Sequence, residues 1–319
     1  MENTSQENSV EQMLPVSDTP SLPGPIFLLK LSIAYYKEHF VMIANILSVP
    51  LILSLIGAFV PPLALVTAPA SVIVSLFSTI ILLGLIVGKW DVTLSITELY
   101  KRSLKWFWPL VHTQAYAVLV VLGGFFLLLI PGIYAAVAVT FVMYVMLAED
   151  KQGMPAAVES WYYVKGKWGG VFWRLVVLWG IFAAIGLVLV ILRVAPSFSR
   201  ILTETQHVDG VPMPEVSPIV AALQAVWSVF VVSPVGIIYT SFLYKALRTT
   251  RLAAPLDEER QKIEKRAKIF MIVGLTGLIV IILGSGFFIL SLLQENGTVW
   301  GSWLPTSVIQ ALENISKSI

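Results

Sequence analysis

Long apolar runs separated by short polar segments make up most of the chain. Seven runs contain no Asp, Glu, Lys or Arg, namely residues 40–60, 66–88, 107–130, 133–148, 175–192, 219–243 and 269–293. A helix needs about 20 apolar residues to cross the hydrocarbon core of a bilayer, so the pattern predicts seven transmembrane helices. The fourth run is short, and Pro131-Gly132 is predicted to form the tight outer turn that precedes it.

The composition agrees with a membrane protein. Hydrophobic residues make up 57% of the chain and charged residues 13%, with a mean hydropathy of +0.84. Soluble domains carry about 25% charged residues. There is no cysteine, which excludes disulfides and cysteine metal sites, and the net charge of +2 gives no reason to expect a nucleic-acid partner. We therefore expect an all-α polytopic integral membrane protein.

Lysine and arginine lie almost entirely on one side of the predicted spans. Of the 21 basic residues, 18 fall on the side of the N-terminus, and Arg193, Arg200 and Lys317 fall on the other. Basic residues are enriched in cytoplasmic loops. The N-terminus is therefore predicted to be inside and the C-terminus outside, in the cytoplasmic (inner) membrane of a prokaryote.

A hairpin unit recurs three times in the sequence. Each unit begins with an amphipathic stretch, at 29–40, 92–106 or 154–168, that is predicted to form a helix at the cytoplasmic membrane interface. A span, an outer turn with proline and a returning span follow. Aromatic and basic residues also flank ordinary membrane spans, and that simpler explanation of the pattern stays open.

The repeat divides the chain into predicted segments. An acidic tail at 1–25 is expected to be disordered, and the membrane domain at 26–247 contains the three units. A charged cytoplasmic helix, a seventh span and an extracytoplasmic tail follow. The boundaries are 26–90, 91–152 and 153–247 for the units, then 248–268, 269–293 and 294–319.

The most specific motif runs from residue 131 to residue 168. Its residues are Pro131, Gly132, Glu149, Gly153, Ser160, Trp161, Lys165, Gly166 and Trp168. The order is a Pro-Gly turn, a hydrophobic span, Glu-x-x-x-Gly, an Ala-rich helix ending in Ser-Trp, and Lys-Gly before an aromatic residue. It resembles the membrane domain fused to some bacterial glycerophosphoryl diester phosphodiesterases and related uncharacterised six-span bacterial membrane proteins. The resemblance covers about residues 25–250, and the seventh span is an addition to it.

These motif residues also have a structural interpretation. Gly153 is expected to break the chain after the fourth span, and Gly166 to end the following helix. Glu149 is expected to pair with a nearby cytoplasmic lysine. Lys165 and Lys167 would meet anionic lipid head groups at the cytoplasmic surface.

The sequence predicts no enzyme activity and no cofactor. Phosphodiester hydrolysis in the fused proteins needs a soluble catalytic barrel, and barrels of that type have about 250 residues. The longest segments outside the spans here have about 25 residues. The three histidines, His39, His112 and His207, are predicted to lie inside, within a span and outside respectively, so they would not converge on a catalytic or metal site.

Four polar residues within spans form the remaining candidate site. They are Asn45, His112, Gln114 and Gln224. Polar residues inside a membrane often mark transport pathways, but His112 lies about one turn from Trp106–Trp108, which favours an interfacial or hydrogen-bonded structural histidine. A transmembrane site for a small molecule and a purely structural role both stay open.

Two functions follow from these observations. The leading hypothesis is a non-enzymatic membrane protein that organises membrane lipids, including anionic ones, or a protein partner at the cytoplasmic face. The alternative is a transporter or export component for a small or amphipathic molecule, for which we expect a cavity near the middle of the bilayer.

Overall fold

The computed structural model describes residues 22–203, 218–250 and 257–295. This part of the chain is built from helices, which we number α1 to α11. Their bounds are Pro25–Glu38, Phe40–Phe59, Ala64–Ile86, Ile96–Leu127, Leu129–Ala138, Val142–Glu149, Met154–Val164, Trp168–Thr203, Pro218–Val226, Ser233–Thr250 and Asp257–Glu295. A 3-10 turn at Pro61–Leu63 joins α2 to α3, and a π-helix at Trp227–Val232 joins α9 to α10.

The structure confirms the all-α polytopic fold. Among the described residues, seven helical segments are long and apolar enough to cross a membrane. They are Phe40–Phe59, Ala64–Ile86, Ile96–Leu127, Leu129–Glu149, Trp168–Ile191, Ile219–Thr250 and Asp257–Phe287. The chain is therefore that of a multi-pass membrane protein, with each predicted span matched by one of these segments.

The buried core is concentrated at one end of the helix bundle. This is the end at which the connections rich in lysine and arginine join the spans. In α3 the buried residues are Ser78 and those from Ile80 to Ile86, in the second half of the helix. At the opposite end, Leu65 is 86% exposed and Ile130 is 80% exposed. An apolar side chain needs no protein cover in lipid, because lipid tails are as apolar as leucine. The halves of the helices at that opposite end therefore present an apolar surface that the hydrocarbon core would surround.

The three amphipathic stretches adopt different structures. The first forms the separate helix α1. The second belongs to α4, which runs without a break over 32 residues, about 48 Å. The third forms α7, but α7 is packed inside the protein, with all of its residues from Ala156 to Val164 buried. A helix at the membrane interface would keep one face exposed, so α7 is part of the core instead.

Two connections differ from their predicted positions. The turn between the third and fourth spans lies at Leu128, whose backbone is extended. Pro131 and Gly132 are therefore inside α5, where proline in the first turn is tolerated because its N–H would have no helical partner. The helix α8 continues through Pro196 to Thr203, so the proline of the third predicted outer turn lies within a helix.

The charged segment and the seventh span form one helix, α11, which begins at Asp257. Lys262 forms an ion pair with Glu258 and Lys268 with Glu264, each four residues apart, and such pairs stabilise the exposed first part of this helix. The acidic tail up to residue 21, His207 and the tail from residue 296 lie outside the described residues.

Candidate functional site

The motif residues converge around a break in the fourth span. The helices α5 and α6 are separated at residues 139–141. The Ser160 hydroxyl group, on α7, is fully buried beside this break. Its Oγ donates to the carbonyl oxygen of Ala138 at 2.7 Å and accepts from the backbone N–H of Phe141 at 3.2 Å. Ser160 thus provides partners for backbone groups that the interrupted helix leaves free.

Tyr134, on α5, accepts hydrogen bonds from both motif tryptophans, which are on α7 and α8. The indole N–H of Trp161 donates to the Tyr134 hydroxyl oxygen at 3.3 Å, and that of Trp168 donates to the Tyr134 carbonyl oxygen at 3.4 Å. The rings of Tyr134 and Trp168 are stacked, with centroids 5.7 Å apart. Burial of large aromatic groups with satisfied N–H donors is strongly stabilising, so these residues fix α7 and α8 against the fourth span.

Gly132 belongs to the same packing. A Cβ atom on this residue would lie 2.4 Å from Cδ1 of Phe125, a separation that real Cβ contacts do not reach. The glycine therefore allows α5 to fold back closely against α4 after the one-residue turn at Leu128. Its role in the motif is close helix approach rather than turn formation.

Glu149 is the centre of a buried charged network. Its Oε1 accepts hydrogen bonds from the hydroxyl groups of Tyr163 at 2.7 Å and Tyr244 at 2.8 Å, and its Oε2 accepts from Lys151 Nζ at 2.8 Å. Lys151 Nζ also donates to Oε2 of Glu159 at 2.8 Å. The Glu149 and Glu159 side chains are only 9% and 6% exposed. The expected pairing of Glu149 with a lysine is thus present in the structure.

The network perturbs the ionisation of its members outside the spans. Burial alone would lower the pKa of Lys151, but the hydrogen bonds and charges of Glu149 and Glu159 outweigh it and raise that pKa. Burial, followed by the hydrogen bond to Glu149, raises the pKa of the Tyr163 phenol. At neutral pH the lysine therefore stays charged and the tyrosine stays protonated, the states in which both donate to Glu149.

The loop that links α6 to α7 has two residues in left-handed conformations. Asp150, with φ of 56°, ends α6 and forms an ion pair with Lys89. Gly153, with φ of 62°, begins α7, and its N–H donates to Oγ1 of Thr113 at 2.9 Å. Gly166, with φ of 81°, follows α7. The predicted chain breaks at the two glycines are confirmed, because positive φ favours glycine at both positions.

Lys165 connects α7 to the seventh span. Its Nζ lies 2.6 Å from Oε1 of Glu259, near the start of α11. The sequence predicted that Lys165 would meet lipid head groups, but the structure gives it a protein partner, and its side chain is 44% exposed. The seventh span, expected to be an addition, is thus joined to the motif by this ion pair.

The four candidate intramembrane polar residues lie on three helices. Asn45 is exposed on α2, and Gln224 is half-buried on α9. On α4, Gln114 is half-buried and His112 is exposed, with its ring edge-on to Tyr116 at a centroid distance of 4.7 Å. Their assembly into one polar site stays a prediction.

His112 lies close to the α6–α7 loop. A Cβ atom added to Gly153 would be 3.2 Å from Cε1 of His112. The loop also contains the charged residues Asp150 and Lys151, which belong at a membrane surface rather than in hydrocarbon. This position supports the interfacial interpretation of His112.

Several residues of the charged network were not predicted. The network consists of Glu149, Lys151, Glu159, Tyr163 and Tyr244. Of these five residues, Glu149 alone was predicted to form an ion pair. Tyr244 is 95 residues from Glu149, and no local pattern indicates such a contact. Glu159 did leave a signal, because it is the acidic residue in the otherwise apolar Ala-rich helix α7.

The geometry of the network indicates a structural role. Each oxygen of Glu149 is already occupied by protein donors, and within the described residues no group of three or more His, Cys, Asp or Glu side chains is placed to hold a metal ion.

Comparison of the chain with protein-family models, with curated proteins and with solved structures finds no match. The resemblance to the phosphodiesterase membrane domain therefore stays a hypothesis based on the motif alone.

Proposed function

We propose that this multi-pass membrane protein is a non-enzymatic scaffold that organises membrane lipids at the cytoplasmic face. The motif residues support this proposal because Ser160, Trp161 and Glu149 all have partners within the protein. They hold α5, α6, α7 and α10 together, so the motif builds a rigid helical bundle. The surface of that bundle, rather than its interior, then carries the interactions with lipids or with a protein partner.

The exposed face of α4 is the observation that carries the proposal. Lys101, Lys105 and Trp108 are exposed and lie four and three residues apart, so they share one face of the helix. Trp108 is 73% exposed, and the adjacent Leu104 is 59% exposed. Cationic, aromatic and apolar side chains therefore lie next to one another on a surface that the described part of the chain leaves exposed.

The length of α4 supports a position of this face at the membrane surface. The helix is about 48 Å long, whereas the hydrocarbon core is about 30 Å thick. About 18 Å, or 12 residues, therefore extends beyond the core if the apolar C-terminal end spans it. That portion contains Lys101 and Lys105, with Trp108 at its boundary, where tryptophan is enriched in membrane proteins. The two lysines would meet anionic lipid head groups.

A lipid-retention experiment tests the proposal. The protein is reconstituted in nanodiscs that contain phosphatidylcholine and phosphatidylglycerol, and the lipids retained after release are counted by native mass spectrometry. Each lysine near an anionic surface contributes about 1 kcal/mol, so the double variant K101Q/K105Q should retain phosphatidylglycerol about thirtyfold less strongly. The matched control is K262Q/K268Q, which removes two exposed lysines of α11. Equal retention by wild type and K101Q/K105Q would refute the proposal.

The alternative of a transporter needs a cavity near the middle of the bilayer lined by Asn45, Gln114 or Gln224. Asn45 lines a cleft, but this cleft also contains Glu38 and His39, at the junction of α1 and α2. Asn45 is the sixth residue of α2, about 8 Å from the start of the helix. This location favours a site at head-group depth, and it supports the lipid scaffold over a transport pathway.

A further inference from the structure

A cleft of about 380 Å³ opens where α1 meets α2. Its polar lining residues are Glu38, His39 and Asn45, and its apolar lining includes Met42, Val92 and Ile96. Glu38, Met42 and Asn45 are spaced four and three residues apart, so they lie along one side of the helix junction. Val92 and Ile96, just before and at the start of α4, form the opposite wall. The volume is within the range of small-ligand sites, about 300–1,000 Å³.

His39 lies at the helix junction and lines the cleft. It separates α1 from α2, with φ of −105° and ψ of 18°, and its ring stacks on Tyr35 with centroids 4.3 Å apart. Its Nδ1 lies 3.1 Å from the carbonyl oxygen of Tyr35. Since a carbonyl oxygen accepts but never donates, Nδ1 carries a hydrogen atom. The other ring nitrogen, Nε2, is then the one that can contact a ligand.

The charge around the cleft favours a cationic group. Glu38 is the one lining residue with a permanent charge, and it is exposed. Asp91 and Glu98, both exposed, flank the wall formed by Val92 and Ile96. The basic residue next to Glu38 in sequence is Lys37, which is also exposed. Glu38 therefore provides the one carboxylate in the lining of the cleft, and an ammonium group is the complementary ligand chemistry.

The apolar lining indicates that this ammonium group belongs to an amphipathic molecule. Met42 and Ile96 line the cleft together with Val41, which is 73% exposed on α2. Exposed apolar residues of a membrane span face lipid, so the cleft is open on that side to acyl chains. A ligand with an amine at one end and a hydrocarbon chain at the other satisfies both parts of the lining.

We propose that the cleft binds the head group of an amine-bearing phospholipid. The ammonium group would donate hydrogen bonds to the Glu38 carboxylate and to His39 Nε2, the phosphate would accept a hydrogen bond from the Asn45 side-chain amide, and the acyl chains would pass along Val41. This inference rests on the proposed function as a lipid scaffold, but it concerns a different lipid and a different surface from the lysine face of α4.

The test compares lipids that differ in the head group alone. Full-length protein in nanodiscs is offered phosphatidylethanolamine, phosphatidylcholine or phosphatidylglycerol, and retained lipid is counted by native mass spectrometry. We expect preferential retention of phosphatidylethanolamine, whose ammonium can donate hydrogen bonds to Glu38. E38Q should weaken that retention about tenfold, as expected for loss of a charged hydrogen bond. The matched control is E258Q, which alters an exposed carboxylate of α11.

The outcomes separate the inference from the proposed function. Equal retention of phosphatidylethanolamine by wild type and E38Q overturns the inference, even if K101Q/K105Q loses phosphatidylglycerol. Conversely, Glu38-dependent retention with no effect of K101Q/K105Q overturns the proposed function alone. A soluble alkylamine that binds in a Glu38-dependent way, with no binding of phosphatidylethanolamine, would assign the site to free amines and overturn the lipid assignment. Thermal unfolding of E38Q checks that this exposed substitution leaves the fold intact.

Discussion

Replacing Ser160 with alanine isolates the contribution of its hydroxyl group to the broken fourth span. The hydroxyl group is 0% exposed and has two backbone partners, the Ala138 carbonyl oxygen and the Phe141 N–H. In S160A the Phe141 N–H loses its acceptor in a fully buried position. An unsatisfied buried donor costs about 1–3 kcal/mol, and hydrogen bonds measured inside membrane proteins contribute up to about 1.7 kcal/mol. We therefore expect the free energy of unfolding to fall by about 1–2 kcal/mol.

The measurement is unfolding by SDS in mixed micelles, followed by circular dichroism and tryptophan fluorescence. The matched control is S48A, because the Ser48 hydroxyl group donates to the Asn45 carbonyl oxygen of its own exposed helix. That change should stay within about 0.5 kcal/mol of wild type. S160C keeps a weak donor in the same place and should fall between wild type and S160A. Equal stability of S160A and S48A would refute the role assigned to Ser160.

Two further predictions concern helix packing and pH. A Cβ atom on Gly274 would lie 2.0 Å from the Leu119 carbonyl oxygen, so G274A should lower the unfolding free energy by about 1–3 kcal/mol in the same SDS assay. G284A, where nothing lies within 4 Å, should have no such cost, and equal effects would contradict this packing. The raised pKa values of Lys151 and Tyr163 mean that the folded state keeps protons that the unfolded state releases. Stability should therefore be constant near neutral pH and fall above about pH 10. A thermal unfolding temperature that rises over that range would contradict the assigned network.

The local breaks between helices could be predicted from single residues. Gly153 and Gly166 have positive φ, a conformation that few other residues adopt. The turn before the fourth span lies at Leu128, three residues before the predicted position at Pro131. Proline is compatible with the first turn of a helix as well as with a bend, so the residue type alone did not decide between them.

The residues that form the charged network could not be predicted from single residue types. Glu149 and Tyr244 are brought together by the packing of α6 against α10, and Glu149 and Tyr163 by the packing of α6 and α7. Such contacts depend on how helices are arranged around one another. Spacing along a single helix carries information about its own faces alone, so it does not indicate which tyrosine on another helix will meet a given carboxylate.

The sequence by itself determined that this is a membrane protein with seven spans, because the length and polarity of an apolar run decide whether it can cross a bilayer. The tertiary structure alone decided which apolar surfaces face protein and which face lipid. It buried α7, made α4 a single helix of 32 residues and opened the cleft beside Glu38. In water, the contrast between apolar and polar faces would predict the core, but lipid tails and protein interiors are both apolar. Packing geometry, rather than hydrophobicity, therefore assigned each face of these helices.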